Sequence, residues 1–299
     1  MKGIIKNEPL NIYKLKEKYL SYIDVADNTV KTYDIGLLQF INYLQDNNIE
    51  YPTREDIIAF RNYLETDHKP STVNSYIVAI RNFFDWLEYA GISKNIAKNV
   101  KGLKVSNEHK RESLTVEQCK KVLDNCKDIR EKVIFLLATT CGIRANELVN
   151  IRVSDFKEKN GTVCLYLLGK GRDYKQDFVI VTPEILDLIK KYAKVYNISD
   201  YLFVSSSNHN KYGKLTTKTI RLIIKNMFKR VGIVGDEYSC HSLRHTFATL
   251  SIQSGKDIRE VSQALRHKNI QTSMVYIHDL ERINNKCSAT VASALLGGV

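Results

Sequence analysis

Three separated segments of the chain concentrate arginines and histidines, the side chains best suited to bind phosphate and to move protons. In chain order they are Thr140-Cys-Gly-Ile-Arg144-Ala-Asn-Glu147, His241-Ser-Leu-Arg244-His245, and Leu265-Arg266-His267 with Tyr276 nine residues after the histidine. An arginine presents N–H donors in a fixed plane that matches two phosphate oxygens, and a histidine exchanges a proton near neutral pH. The pattern therefore indicates a site that holds a phosphate and transfers protons around it.

The pair His241 and His245 also has the spacing of two zinc ligands on one face of a helix. No glutamate follows the first histidine, as it would in a His-Glu-x-x-His pattern, and no third ligand stands in evident register. The six cysteines include no Cys-x-x-Cys pair, which argues against a zinc site and a disulfide framework. The sequence therefore predicts no metal, no cofactor and reduced cysteines.

In residue type, order and spacing the three segments resemble the catalytic boxes of the tyrosine recombinase, or phage integrase, family. That family shows a Gly-Leu-Arg-x-x-Glu-Leu box, a His-x-Leu-Arg-His box, and then a Gly-His with a tyrosine nine residues later. The resemblance covers nearly the whole chain. It implies an acidic orienting residue, Glu147, and the following catalytic set: Arg144, Lys170, His241, Arg244, His267 and Tyr276.

Such a set can cut a phosphodiester without water, metal or nucleotide. The resemblance implies that the phenolate of Tyr276 attacks and that the phosphotyrosyl ester keeps the bond energy until a DNA hydroxyl reseals the strand. Arg144 and Arg244 would clamp the charged oxygens of the transition state. A proton donor must also meet the leaving 5′ oxygen. By the same resemblance His241 assists proton transfer, His267 donates a hydrogen bond to the phosphate, and His245 is structural.

Two of these assignments have rivals in the sequence. The resemblance puts the general-acid lysine at Lys170, in a Gly-Lys-Gly turn from which a long cationic side chain can reach a leaving oxygen, and Lys175 is its rival. The nucleophile is chosen among 17 tyrosines only by its distance from the third-box histidine, and Tyr174 is the alternative.

One residue departs from the family pattern, because Arg266 stands where the family usually has glycine. A glycine at a helix end takes a positive φ at little cost, whereas an arginine does not. We expect either a reshaped turn before His267 or an added phosphate contact from Arg266.

The composition is that of a globular protein with an affinity for polyanions. The 299 residues are 43% hydrophobic and 26% charged, which suits two domains of ordinary size. Lysine and arginine number 45 against 33 acidic residues, and the formal net charge of +12 favours nucleic acid as a partner. A charge that only maintains solubility is the alternative. No apolar run approaches the roughly 20 residues of a membrane span, and no signal peptide is evident, so we expect a cytoplasmic, nucleoid-associated protein without membrane partners.

Local patterns predict a mainly helical fold with a small antiparallel sheet. Apolar periodicity predicts helices over about 11–24, 28–46 and 71–89, and Thr53 with Asp56 opens one more, which makes a four-helix N-terminal domain. Further on, Thr115 and Gln118 form a capping box. Strands are predicted over 155–159, 162–168 and 178–181, with a turn at 160–161, and Pro183 begins another helix.

These elements predict a SAM-like core-binding domain over 1–93, a basic linker over 94–112 and a mixed α/β catalytic domain over 113–299. A frayed helix end followed by a loop is the alternative for the linker. In the family such N-terminal helices face the major groove, which implies these DNA contacts from helices and linker: Lys31, Thr32, Ser71, Thr72, Arg81, Lys101 and Lys104. A solvated face is the alternative for each of them.

The resemblance finally implies a site-specific recombinase that exchanges strands through a 3′-phosphotyrosyl intermediate and a Holliday junction, in integration, excision or resolution of a mobile DNA element. The length suggests a compact Xer-type or transposon-borne member. Partners would be double-stranded DNA with specific core sites, three further protomers, and accessory DNA-bending proteins or a partner recombinase.

The apolar tail over 287–297 is short for an isolated helix. In the family such a tail docks on a neighbouring protomer, and docking on its own domain is the alternative. A type IB topoisomerase and a catalytically silent DNA-binding protein are the alternative functions.

Overall fold

The computed structural model describes residues 11–105, 112–169, 174–205, 213–267, 269–271, 273–274 and 287–296. The chain divides into two compact units, over residues 1–107 and 108–299, and each unit has its own hydrophobic core. The predicted fold class is confirmed, since the described ranges are mainly helical with one small antiparallel sheet. No helix in these ranges is long and apolar enough to cross a membrane.

The N-terminal unit contains the four predicted helices. They are α1 (Ile12–Tyr22), α2 (Asp27–Asp46), α3 (Arg54–Glu65) and α4 (Pro70–Tyr89). Local signals explain where α3 and α4 begin. The backbone N–H of Thr53 donates to the Asp56 carboxylate at 2.7 Å, which closes the first turn of α3. Pro70 occupies the first turn of α4, where a missing N–H breaks no helical hydrogen bond.

The apolar stripes of α2 and α4 form the centre of the N-terminal core. The Phe40 ring lies 5.2 Å from that of Phe60 and 6.4 Å from that of Phe84, measured between centroids. Gly36 permits the close approach of the two helices, because a Cβ at this position would lie 2.9 Å from Cδ1 of Tyr76. The approach fixes the spacing between the outward faces of α2 and α4.

The chain after α4 is not helical over residues 94–105, and it packs on the N-terminal unit. Ala97 and Val100 are buried in that core. Arg61 donates to the Lys101 carbonyl at 2.9 Å, and the side chain of Asn74 exchanges two hydrogen bonds with the backbone of Leu103, at 2.9 and 2.6 Å. The first part of the basic segment is therefore anchored by hydrogen bonds and burial.

The C-terminal unit carries the remaining helices of the described chain. They are α5 (Val116–Asp124), α6 (Ile129–Thr140), α7 (Ala145–Leu148), α8 (Pro183–Val195), α9 (Thr217–Arg230), α10 (Cys240–Gln253), α11 (Ile258–Ala264) and α12 (Cys287–Leu296). The predicted capping box at the start of α5 is confirmed. Its two reciprocal bonds join Thr115 and Gln118 at 2.8 and 3.2 Å.

The sheet of the C-terminal unit has the order β1-β2-β3, with antiparallel neighbours. The strands are β1 (Phe156–Lys159), β2 (Thr162–Leu167) and β3 (Asp177–Ile180). Asn160 and Gly161 have φ values of 52° and 74°, which is the pair of positive angles that a tight two-residue hairpin requires. The turn predicted at this dipeptide is confirmed.

Helix α6 lies in the centre of the C-terminal core. Five of its apolar residues are buried, on several sides of the helix: Val133, Ile134, Phe135, Leu137 and Ala138. It contacts α8, α9 and α10. A helix with buried residues on several sides is held by several neighbours, and α6 therefore gives the segment that follows it, with Arg144, a fixed support.

Candidate active site

The first catalytic box follows α6 through a turn that only glycine fits without strain. Gly142 has φ +56°, and a Cβ on it would lie 2.6 Å from Cδ2 of Leu265 and 3.2 Å from Cδ1 of Phe247. The turn brings the chain against the residues of the third box. Arg144 then lies directly before α7, with 32% of its side chain exposed.

Glu147 is the buried acid of the site. Its carboxylate accepts from the Arg144 guanidinium at 2.8 Å, from the Arg144 backbone N–H at 2.9 Å, and from the Arg266 guanidinium at 2.8 Å. Burial alone would raise the pKa of Glu147, but the charges of Arg266 and Arg144 and the Arg144 hydrogen bonds outweigh it and hold the pKa below its usual value. Glu147 is therefore an ionised carboxylate that contacts the first and third boxes together.

Arg244 links the same two boxes from α10. Its guanidinium donates to the Gly142 carbonyl at 2.5 Å and to the Leu265 carbonyl. The residue is buried, and Thr246, two residues later, accepts from the Leu114 backbone N–H at 2.8 Å. Two carbonyl anchors fix the plane of this guanidinium, which is the condition for oriented recognition of an anion.

Arg266 adopts the left-handed backbone conformation that a glycine would take, with φ +57°. The turn before His267 is thus retained with an arginine in it. The guanidinium of Arg266 donates to the Glu147 carboxylate and, at 3.0 Å, to the Ala264 carbonyl. This ion pair offsets the cost of a backbone conformation that disfavours a residue with a side chain, and the expected phosphate contact of Arg266 stays a prediction.

His267 lies beside the three arginines. Its Nδ1 is 2.6 Å from Oγ of the buried Ser273. Burial and the charges of Arg244, Arg144 and Arg266 lower the pKa of His267 to about 4. The imidazole is therefore neutral at physiological pH, and if Ser273 donates to Nδ1, the proton lies on Nε2, where it can be donated to a phosphate.

His241 lies in the first turn of α10, one turn before Arg244 and on the same side of the helix. Its side chain is exposed, and its ring centroid lies 6.5 Å from that of His245. Among the residues that the structure describes, no group of three or more His, Cys, Asp or Glu could hold a metal ion. Five of the six cysteines are found as free thiols: Cys119, Cys126, Cys141, Cys164 and Cys240.

Of the two lysine candidates, the structure describes only Lys175. Nζ of Lys175 donates to the Asn150 carbonyl at 2.8 Å and is paired with the carboxylate of Asp155, which is buried. Lys175 is thus engaged in an internal ion pair. Lys170 and Tyr276 lie outside the described residues, and Tyr174 is exposed in the loop before β3.

Sequence reasoning missed two partners in this site, Ser273 and the Gly142 carbonyl. Ser273 has no distinguishing neighbour in the sequence, and a carbonyl oxygen carries no sequence signal at all. The role of glycine at position 142 had one visible clue, since the residue lies inside the first box directly after α6.

The residues predicted to contact DNA lie on the surface of the N-terminal unit. Thr32, Ser71 and Thr72 line one groove of about 330 Å³ between α2 and α4, together with Ile35 and Ser75. The four charged candidates are all exposed: Lys31, Arg81, Lys101 and Lys104. The structure brings the hydroxyl-bearing candidates together, and their contact with DNA stays a prediction.

Comparison with solved structures identifies the class of fold. The crystal structure of XerH site-specific recombinase bound to palindromic difH substrate, a post-cleavage complex, has a TM-score of 0.73 at 22% identity, over 94% of this chain and 83% of that chain. A lambda integrase tetramer bound to a Holliday junction has a TM-score of 0.72 at 18% identity, over 89% and 76% of the two chains. The fold is that of these recombinases.

Sequence comparison identifies the family. Residues 112–282, more than half of the chain, match the Phage integrase family, and residues 16–91 match the N-terminal SAM-like domain of phage integrases. The chain belongs to the phage integrase family. Tyrosine recombinase XerC of Caldanaerobacter subterraneus subsp. tengcongensis is 34% identical over 194 residues, which is 62% of this chain and 52% of that protein. The chain thus spans about half the length of this curated relative.

Proposed function

We propose that the protein is a site-specific DNA recombinase that cleaves and rejoins strands through a 3′-phosphotyrosyl intermediate and a Holliday junction. The observation that carries the proposal is the convergence of Arg144, Arg244 and His267 around one point, each fixed by hydrogen bonds within the site. Such a cluster suits a phosphodiester that must be held while charge develops on its oxygens. Family membership supplies the reaction class.

Arg144 and Arg244 are assigned to the two non-bridging oxygens of the scissile phosphate. Arg144 offers the larger exposed surface, and Arg244 reaches the phosphate with an edge of a guanidinium that two carbonyls hold in place. Neutral His267 donates a hydrogen bond from Nε2. His241, exposed one turn before Arg244, is positioned to exchange protons with the nucleophile or with solvent.

Lys170 is assigned as the acid that protonates the leaving 5′ oxygen, and Tyr276 as the nucleophile. The ion pair of Lys175 with Asp155 supports the first assignment, because it commits the rival lysine to an internal contact. In the second, the phenolate oxygen bonds to phosphorus as the P–O5′ bond breaks, and the leaving oxygen takes its proton from the lysine. Attack by a 5′ hydroxyl reverses both changes, so that no cofactor is consumed.

We assign DNA binding to both the helical unit, as a core-binding domain over 1–93, and the catalytic domain over 113–299, with residues 94–112 as the basic linker. The groove lined by Thr32, Ser71 and Thr72, with exposed Lys31 and Arg81 nearby in sequence, is the proposed major-groove surface. Lys101 and Lys104 would contact phosphates. The protein would act on double-stranded DNA at the nucleoid, with accessory DNA-bending proteins or a partner recombinase where its target requires them.

We assign the assembly to four protomers joined in a cycle by their C-terminal tails. Three apolar side chains of helix α12 are exposed: Val291, Leu295 and Leu296. Exposure of apolar surface to water is unfavourable in free energy, so that burial of these side chains against a partner would stabilise the helix. The C-terminal unit has a cavity of about 610 Å³ whose lining includes Phe178 and Phe247. We assign this cavity as the acceptor of α12 from a neighbouring protomer.

The experiment uses labelled, nicked duplexes tiled across the DNA that flanks the gene, incubated with the protein in EDTA. Wild type, Tyr276→Phe and Tyr174→Phe are compared for a denaturant-resistant protein–DNA band. We expect the band on a discrete fragment with wild type and with Tyr174→Phe, and its absence with Tyr276→Phe. A band that persists in Tyr276→Phe would show that another residue is the nucleophile.

The same assay distinguishes the alternative functions. Covalent bands on every fragment, with relaxation of supercoiled DNA and no partner site, would indicate a type IB topoisomerase. Mobility shifts without any covalent band would indicate a DNA-binding protein without catalysis. Either result would contradict the proposed recombinase.

A further inference from the structure

We propose that Arg266 is a positioning residue, which fixes the phosphate-binding guanidinium of Arg144 by holding the buried carboxylate between them. The proposal rests on the proposed function, because it assigns to Arg144 the contact with the scissile phosphate. It goes beyond that function because Arg266 stands where the family pattern has a residue without a side chain.

The geometry is that of a carboxylate shared by two arginines. Oε1 of Glu147 accepts from the Arg144 guanidinium at 2.8 Å, and Oε2 accepts from the Arg266 guanidinium at the same distance. Only 6% of the Arg266 side chain is exposed, against 32% for Arg144. Arg266 is therefore the internal partner of the acid, and Arg144 is the partner that faces outward.

The backbone of Arg266 supports a positioning role. A residue with a side chain is strained at φ +57°, and strained residues persist where the surrounding contacts over-determine them. Here the contacts are the Glu147 carboxylate at 2.8 Å, the Ala264 carbonyl at 3.0 Å and a longer one to the Gly142 carbonyl at 3.5 Å. They join the turn before His267 to the turn before Arg144.

Charge supplies a second reason for this arrangement. An Arg144–Glu147 pair alone would be neutral, and its arginine would attract a phosphate weakly. With Arg266 on the other side, the single carboxylate is shared, so that the positive charge of Arg144 is only partly compensated. The charged groups that act on Glu147 are Arg266 and Arg144, and the same two arginines, with Arg244, act on His267.

The test compares Arg266→Gly, Arg266→Lys and Glu147→Gln with wild type in single-turnover cleavage of the nicked duplex. Glycine keeps the left-handed turn, so that Arg266→Gly removes the guanidinium without adding strain. We expect a rate of covalent bond formation about 10–100-fold lower, as for other residues that orient a catalytic group, with DNA affinity changed less than about threefold, because most phosphate contacts remain. Arg266→Lys keeps the positive charge without the planar guanidinium, and we expect its rate to lie between those of wild type and Arg266→Gly.

Arg259→Gln, which removes an exposed arginine of α11, serves as the matched control and should cleave at the wild-type rate.

A double-mutant cycle tests whether Arg266 acts through the acid. In the Glu147→Gln background, Arg266→Gly should lower the rate by less than about twofold, because the link to Arg144 is already broken. Independent losses that multiply in the double variant would overturn the proposal, as would a wild-type rate in Arg266→Gly.

A measurement that needs no catalysis separates this proposal from the proposed function. The carboxyl carbon of Glu147 is titrated by NMR in wild type and in Arg266→Gly, where loss of the nearby cation should raise its pKa. An unchanged pKa would overturn the positioning role even in an active enzyme. If wild type forms no covalent band on any duplex, the proposed function fails, and a raised pKa in the variant would still establish the contact that Arg266 makes.

Discussion

Replacement of Gly142 by alanine tests how the active site is held together. The residue has φ +56°, and the new Cβ would lie 2.6 Å from Leu265 and 3.2 Å from Phe247. The Gly142 carbonyl also accepts the 2.5 Å hydrogen bond from Arg244. Any shift that relieves the clash therefore moves an anchor of a proposed catalytic arginine.

The expected cost has two parts. A left-handed backbone costs an alanine roughly 1–2 kcal/mol, and overpacking of a buried contact costs roughly 1–3 kcal/mol more. Gly255→Ala is the matched control. Gly255 also has a positive φ, +83°, but no heavy atom lies within 4 Å of the place that a Cβ would take. Its replacement by alanine therefore has only the backbone cost and no overpacking cost. The free energy of unfolding should thus fall by about 1–3 kcal/mol more in Gly142→Ala than in Gly255→Ala, or roughly 2–12 °C in Tm for a unit of this size.

The assay is thermal unfolding of the full chain followed by far-UV circular dichroism. The fluorescence of Trp86, which lies in α4, reports the N-terminal unit separately and serves as an internal reference. We also expect slower cleavage of the nicked duplex by Gly142→Ala than by Gly255→Ala. If the two variants unfold at the same temperature, the contact between the first and third boxes is not tight, and the argument from Gly142 fails.

Further predictions concern the charged groups of the catalytic unit. The folded pKa of His267, about 4, lies below the unfolded value because of burial and the neighbouring arginines. The folded state therefore binds fewer protons between about pH 6.5 and pH 4 and loses stability as pH falls through this window. Chemical denaturation at a series of pH values should show this loss in wild type and not in His267→Gln. Glu147, with its lowered pKa, loses its contribution as pH falls further, through its folded pKa, and in Glu147→Gln that acid-side loss should be absent from the same denaturation series. Inorganic sulfate at millimolar concentration should raise the pKa of His267 in an NMR titration, because an anion among the arginines offsets their charge; an unchanged pKa would argue against a phosphate site there. Lys175→Met should lower the free energy of unfolding by about 3–5 kcal/mol, because it leaves buried Asp155 without its cation. Lys170→Met should slow cleavage on the order of 10²-fold or more.

The sequence predicted most of the fold because its signals are local. Thr53 with Asp56 and Thr115 with Gln118 bond within four residues, so that the helix starts follow from neighbours in the chain. The dipeptide at 160–161 determines its own backbone angles. Residues 94–105 were predicted as part of a basic linker over 94–112, with a frayed helix end and loop as the alternative. Their packing on the N-terminal helices was not predicted, because the hydrogen bonds come from residues as many as 45 positions away.

The site was predictable in its residues and not in its contacts. Resemblance to the family selected Arg144, Glu147, Arg244 and His267, and the structure brings these four together. It also marked Arg266 as a departure. The partner of Arg266 is Glu147, 119 residues earlier, and no periodicity or propensity relates two positions so far apart. Only the packed fold determines that the Arg266 guanidinium forms an ion pair with Glu147 instead of pointing into solvent.

The charges of the site give a reason for its construction. Among the described residues, Arg144 and Arg266 share the carboxylate of Glu147, and with Arg244 they act on neutral His267, so that this cluster carries more positive than negative charge. Like charges held together raise the free energy of the folded protein. The carbonyls of Gly142 and Leu265 offset part of that cost without neutralising any arginine, since a carbonyl accepts hydrogen bonds but carries no net charge. In the proposed mechanism a bound phosphate would supply the missing negative charge, so that the arrangement would be more stable with its anion than without it. The excess charge that disfavours the empty site is then the charge proposed to bind the phosphate and to stabilise the transition state.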